Sequence, residues 1–139
     1  MSAADPDAGE SDLTRLLAGM RPQLQPGTYL FCTLPDGSLP AGLAPLSTFH
    51  EAEGLTLVLK KEDAARHGIE GTFEAAWITL AVHSDLAAVG FLAAVATALA
   101  REGIPCNAIA AFHHDQLFVP VAMAERAMAA LTAPGGRLR

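Results

Sequence analysis

Apolar positions along the chain recur with two periods, and each change of period marks a predicted element. Leu13, Leu16 and Leu17 lie on one helical face behind Asp12, a residue suited to capping a helix start, and the pattern ends near "RPQLQPG". "TYLFCTL" (28–34) is a run of strand formers closed by the turn "PDG", after which "SLPAGLAP" continues as loop. "LSTFHE" (46–51) and "LTLVLK" (55–60), separated by "AEG", predict a hairpin, and "KEDAARHG" predicts a short helix stopped by Gly68. A strand resumes at "TFEAAWITLAVH", and residues 88–102 read as a helix ended by Gly103. "PCNAIAAFHH" and "QLFVPV" predict two strands joined tightly at His114-Asp115-Gln116, and "MAERAMAALTA" predicts a closing amphipathic helix.

Setting the second hairpin on the first reveals a weak repeat. Phe49-His50 match Phe112-His113 at an offset of 63, while Leu55, Leu57 and Ala65 match Leu117, Val119 and Ala127 at 62, with a one-residue deletion in the turn. The second half reads strand, helix, strand, strand, helix, which is a ferredoxin-like βαββαβ unit without its last strand. "TYLFCTL" is the free candidate for that edge. The expected fold class is therefore α+β: two interlocked ferredoxin-like units with antiparallel sheets and helices on one face. The expected division is a disordered tail over 1–12, a degenerate N-terminal half over 13–74, a C-terminal domain over 75–134 and a tail over 135–139.

Composition narrows the function. Nine Lys and Arg against fifteen Asp and Glu give a net charge of −6, with no basic cluster larger than Lys60-Lys61, which argues against nucleic acid as a partner. The longest uncharged run, Leu86 to Ala100, is too short to span a bilayer, and "MSAADPDAGESD" lacks a signal-peptide core, so a cytoplasmic protein without membrane partners is expected. Hydrophobic residues make up 51% of the chain, and the run from Leu86 to Ala100 is apolar on every side, which predicts at least a homodimer. Cys32 and Cys106 form no ligand motif and read as buried, reduced core residues.

The candidate chemistry centres on Gly90. Glycine in a helix interior costs about 1 kcal/mol relative to alanine, yet alanine fills most of the neighbouring positions. If the helix starts near Ala88, Gly90 lies in its first turn, where a missing side chain lets a ligand approach the unsatisfied N–H groups and the positive end of the dipole. With a helical φ there, alanine at position 90 would leave the unliganded protein as stable or more so. Asp85 upstream and Asp115 at the hairpin tip flank that anion site with acids, an arrangement that fits the carboxylate and ammonium of a free amino acid, with Val89, Ala111 and Phe112 as apolar walls. The alternative is structural: Asp85 or Ser84 caps the helix and Gly90 serves tight packing.

Asp85, Gly90-Phe91-Leu92, Leu99 and "EGI" (102–104), followed by a strand, resemble the ACT-domain pattern, in which an Asp-containing loop and a glycine open the first helix of a βαββαβ unit. "AWITLAVHSDLAAVGFLAAV", "GIPCN" and "FHHDQLFVP" also resemble a family of small bacterial proteins with two ACT-like halves. The resemblance implies a regulatory module that binds small molecules, most often amino acids. It implies a site lined by Ser84, Asp85, Val89, Gly90 and Phe91 with Ala111, Phe112 and Asp115, completed by Ser47, Thr48 and Phe49. This sequence departs from the commonest pattern in the five-residue spacing of Asp85 and Gly90 and in lacking a proline before the glycine.

Other constellations are weaker. His113 and His114 are neighbours on a strand and point to opposite faces, so a shared metal ion is not expected, and neither is a cofactor. "HSD" (83–85) contains three catalytic residue types in a spacing that cannot form a relay, so no enzyme is expected. Lys60-Lys61-Glu62-Asp63 reads as a solvated helix start and Trp77 as core or interface. The expected function is regulatory amino-acid binding without catalysis, and the alternative is a structural or protein-interaction dimer on the same scaffold.

Overall fold

Leu55, Leu57 and Leu59 alternate along one strand, Gly54–Lys60, and share an apolar cluster with Cys32, Leu43 and Ala64, as the period-two pattern requires. The computed structural model describes residues 12–82 and 85–132. In chain order its elements are α1 (Leu13–Gly19), β1 (Pro22–Leu24), β2 (Tyr29–Leu34), β3 (Ser47–Glu51), β4 (Gly54–Lys60), α2 (Lys61–Arg66), β5 (Gly71–Leu80), α3 (Phe91–Arg101), β6 (Asn107–Ala110), β7 (Asp115–Pro120) and α4 (Ala124–Thr132), with a 3-10 turn at Val121–Met123. They form two compact units, Pro26–Ala76 and a second built from residues up to Gln25 together with those from Trp77 onward.

In the 26–76 unit the strand order is β3-β4-β2-β5, with β2 antiparallel to both neighbours. This is the ferredoxin-like order, with β2 as first strand and β5 as last. Residues 35–46 form a loop where the first helix would lie, and buried Leu43 fills the core position that a helix would cover. The β3–β4 turn brings Gly54 against β2: a Cβ there would lie 2.6 Å from the Leu34 carbonyl oxygen and 2.9 Å from Pro35 Cα.

The second unit repeats the order as β1-β5-β7-β6. Its missing edge is supplied by Pro22–Leu24, which pairs antiparallel with β5 through Pro22↔Leu80, Gln23↔Thr79 and Leu24↔Ile78. "TYLFCTL", expected in that role, is occupied by β4 and the first residues of β5. A three-residue strand opened by proline has too little propensity to be legible, although proline is tolerated at the first position of an edge strand. α1 is capped as expected, with Asp12 Oδ1 accepting from the Arg15 N–H at 3.0 Å. It buries Leu16 in this unit.

α3 starts at Phe91, three residues later than the predicted Ala88. Gly90 is its N-cap rather than part of its first turn, with φ at +91°, a region that L side chains enter at a cost. Phe91, Val95, Ala98 and Leu99 face the core, α1 and α4 pack against the helix, and Ala93, Ala96, Thr97 and Ala100 meet solvent. The apolar run is thus covered along one face only, and Leu86 and Val89 ahead of the helix are also exposed.

The two hairpins share one register. Ser47 faces Val58 and Asn107 faces Phe118, so both strands advance by 60 (47 to 107, 58 to 118) rather than by the predicted 62 and 63. Leu57 and Leu59 thereby correspond to Leu117 and Val119, and Leu55 to Asp115. Phe49-His50 lie in β3 while Phe112-His113 lie in a turn, and the buried partner of Ala127 in character is Ala64, not Ala65.

Two expectations follow. Gly54→Ala forces backbone apart and should cost about 1–3 kcal/mol, and Gly90→Ala should cost about 1–2 kcal/mol from its left-handed φ alone, both read as shifts of the urea midpoint. Residues 72–139 expressed alone lack α1 and β1 and should aggregate or remain molten; a monomeric fragment with cooperative unfolding would show that β1 is dispensable.

Candidate functional site

The segment leaving β5 is held by its own polar groups. Asp85 Oδ1 accepts from the Ala87 N–H at 2.8 Å, and the Asp85 carbonyl accepts from the Ala88 N–H at 2.9 Å. The carboxylate therefore closes a local turn, and the N-cap of α3, Gly90, contributes no side-chain cap. The first intrahelical bond runs from the Ala94 N–H to the Gly90 carbonyl at 2.9 Å. A Cβ at position 90 would approach Leu13 Cδ2 to 3.4 Å, so α1 flanks this start. Val89 is 84% exposed, whereas Phe91 is buried in the core and does not present its ring to a ligand. Ser84, with His83, lies outside the described residues.

The β6–β7 turn occupies 111–114 and is closed by the Ala111 N–H donating to the His114 carbonyl at 3.1 Å. Asp115 is consequently not at the tip. It opens β7 opposite Ala110 and is 8% exposed, at the position where the other hairpin carries core residue Leu55. Ala111 and Phe112 are exposed, and the Phe112 ring meets His113 edge-on at 4.8 Å. His114 Nδ1 lies 3.2 Å from the Val82 carbonyl. A carbonyl only accepts, so the ring donates through Nδ1–H. This bond ties the turn to the segment leading to Asp85 and Gly90. Ser47, Thr48 and Phe49 belong to β3 in the other unit, with Phe49 70% exposed.

A polar group that the sequence reading passed over lies beside the turn. Gln116 Oε1 accepts from Trp77 Nε1 at 2.7 Å and from Thr79 Oγ1 at 2.8 Å, while Gln116 Nε2 donates to the His114 carbonyl at 3.3 Å. Thr79 Oγ1 accepts in turn from Gln25 Nε2 at 3.0 Å. The available signal was Thr79 and Gln116 interrupting otherwise apolar strands. Cys32 is buried and Cys106 half-buried, and burial pushes both thiols up, Cys106 to about 11, so they stay protonated at neutral pH. Cys106 is thus a partial exception to the expected core placement. Among the described residues, no three His, Cys, Asp or Glu are grouped to hold a metal ion and no helix is long and apolar enough to cross a membrane.

Residues 8–76 match the ACT domain family, and residues 72–133 match it again. The two matches overlap within β5. No curated protein matches the chain. Among solved structures, a Vibrio cholerae protein of unknown function, described as a possible transport protein, is 45% identical over 86% of this chain and 93% of its own, with a TM-score of 0.77. An Agrobacterium tumefaciens protein is 19% identical over 81% of this chain and 86% of its own, with a TM-score of 0.65. The regulatory subunit of aspartate kinase from Thermus thermophilus, in a ligand-free form, is 14% identical over 79% of this chain and 92% of its own, with a TM-score of 0.59, and shares the fold. With both halves matched and both units built in the ferredoxin-like strand order, the chain belongs to the ACT-domain family as a tandem ACT protein.

Proposed function

We propose that this protein is a non-catalytic regulator that binds a free amino acid at the loop and helix start of its second unit. The observation that carries the reading is the left-handed Gly90 cap, which offers no side chain to the first-turn N–H groups of α3 and lies downstream of the Asp85 carboxylate. Such N–H groups, at the positive end of the helix dipole, suit a ligand carboxylate. Asp85 uses one oxygen on Ala87, and a carboxylate can accept further, so its second oxygen suits the ligand ammonium. Val89, Ala111 and Phe112 supply exposed apolar surface for the remainder. Family membership supports a regulatory role, as does the fold shared with an aspartate kinase regulatory subunit. Free Cys32 and Cys106 fit a reducing cytoplasm, and exposed Phe49 on edge strand β3 fits a homodimer.

A thermal-shift screen of the proteinogenic amino acids tests the ligand. One of them, at a hundred times its dissociation constant, should stabilise the protein by about 2.7 kcal/mol. Asp85→Asn should abolish most of that response while lowering the unliganded stability by only about 0.5–1 kcal/mol through the weakened turn. A screen in which no amino acid stabilises the protein would favour the interaction-dimer alternative, to which exposed Val89 and Phe112 lend themselves.

A further inference from the structure

We propose that Gln116 is a positioning residue for the candidate site, holding the 111–114 turn and, through His114, the segment entering the Asp85 loop. The functional meaning of this role rests on the binding reading above, but the mechanical claim does not. The Trp77 indole can only donate, so the group 2.7 Å from it must be the Gln116 carbonyl oxygen. That fixes the amide, and its NH₂ is turned toward the His114 carbonyl. The donors then run in one direction, from Gln25 to Thr79 to Gln116 to His114. At the receiving end the His114 carbonyl also takes the Ala111 N–H that closes the turn, and the ring of the same residue donates to Val82. One side chain thereby orients the carbonyl on which the turn closes, and the turn carries Ala111 and Phe112.

Comparison of the two units separates this role from a requirement of the fold. The register shift of 60 places Thr56 at the position of Gln116. Thr56 Oγ1 donates to Glu51 within its own hairpin, and the same strand order is built there without an amide reaching to a neighbouring turn. The network belongs to the unit that carries the candidate site.

Amide hydrogen exchange by NMR on the full-length, unliganded protein tests the proposal. The single tryptophan gives one indole N–H signal that reports the Gln116 oxygen directly. Gln116→Glu keeps an acceptor for Trp77 and removes the donor to His114, whereas Gln116→Met removes both. Exchange at the Ala111 amide should rise about tenfold in either variant, with the Phe118 amide unchanged, and the indole N–H should lose protection only in Gln116→Met. Unchanged Ala111 exchange in a folded variant would overturn the proposal, as would a rise matched at Phe118, which would mark general destabilisation. If Gln116→Glu does not fold, Gln116→Met decides alone. Failure of the amino-acid screen with a positive exchange result would refute the ligand reading and leave the positioning role intact.

Discussion

The pairing of β5 is the constraint on which both units depend. Its first residues bond to β2 and make it the last strand of the 26–76 unit, while Ile78 to Leu80 bond to β1 and make it the first strand of the other. A strand with two assignments cannot slip by one residue without moving buried Ile78 and Leu80 to the face that carries Trp77 and Thr79. Chain order has the same consequence: α1 and β1 precede the first unit in sequence yet complete the second. The matched family segments, which divide within β5, and the compact units, which exchange the first 25 residues, are therefore compatible descriptions of one interlocked chain.

Within that frame the duplicated hairpins are one design used twice. Identical register preserves the alternation that buries Leu57 and Leu59 in one and Leu117 and Val119 in the other. The differences fall where chemistry is available. Core Leu55 is replaced by Asp115 and Thr56 by Gln116, and a helix with a glycine cap follows β5 where the first unit has only a loop after β2. The second unit exchanges an apolar position for a carboxylate and a self-contained one for an amide that reaches toward the 111–114 turn.

Gly90 illustrates how a backbone requirement and a candidate site can have the same origin. A residue at φ +91° is most cheaply glycine, and glycine has no side chain with which to cap the helix it begins. The conformational demand explains the residue type. A helix start to which its own N-cap residue offers no side chain is what makes the site a candidate. Asp85, which from sequence could have capped α3, is instead engaged with Ala87.

The amino-acid sequence by itself determined most of the elements and the fold class, because local alternation, Asp12 as a cap, and Gly68 and Gly103 as stops each act within a few residues. It also placed the Asp85 to Gly90 loop and the 111–115 segment as the chemically distinctive stretches, since those residue types stand out against an apolar background. Tertiary structure alone decided which strand closes the second sheet, because a three-residue strand such as Pro22–Leu24 carries too little propensity to register until β5 offers it partners. It likewise decided the hairpin offset, which is set by cross-strand pairing rather than by letter identity, and the sign of φ at Gly90. The Gln25–Thr79–Gln116–His114 chain joins residues as far as 54 positions apart, and no local pattern encodes a hydrogen bond across that distance.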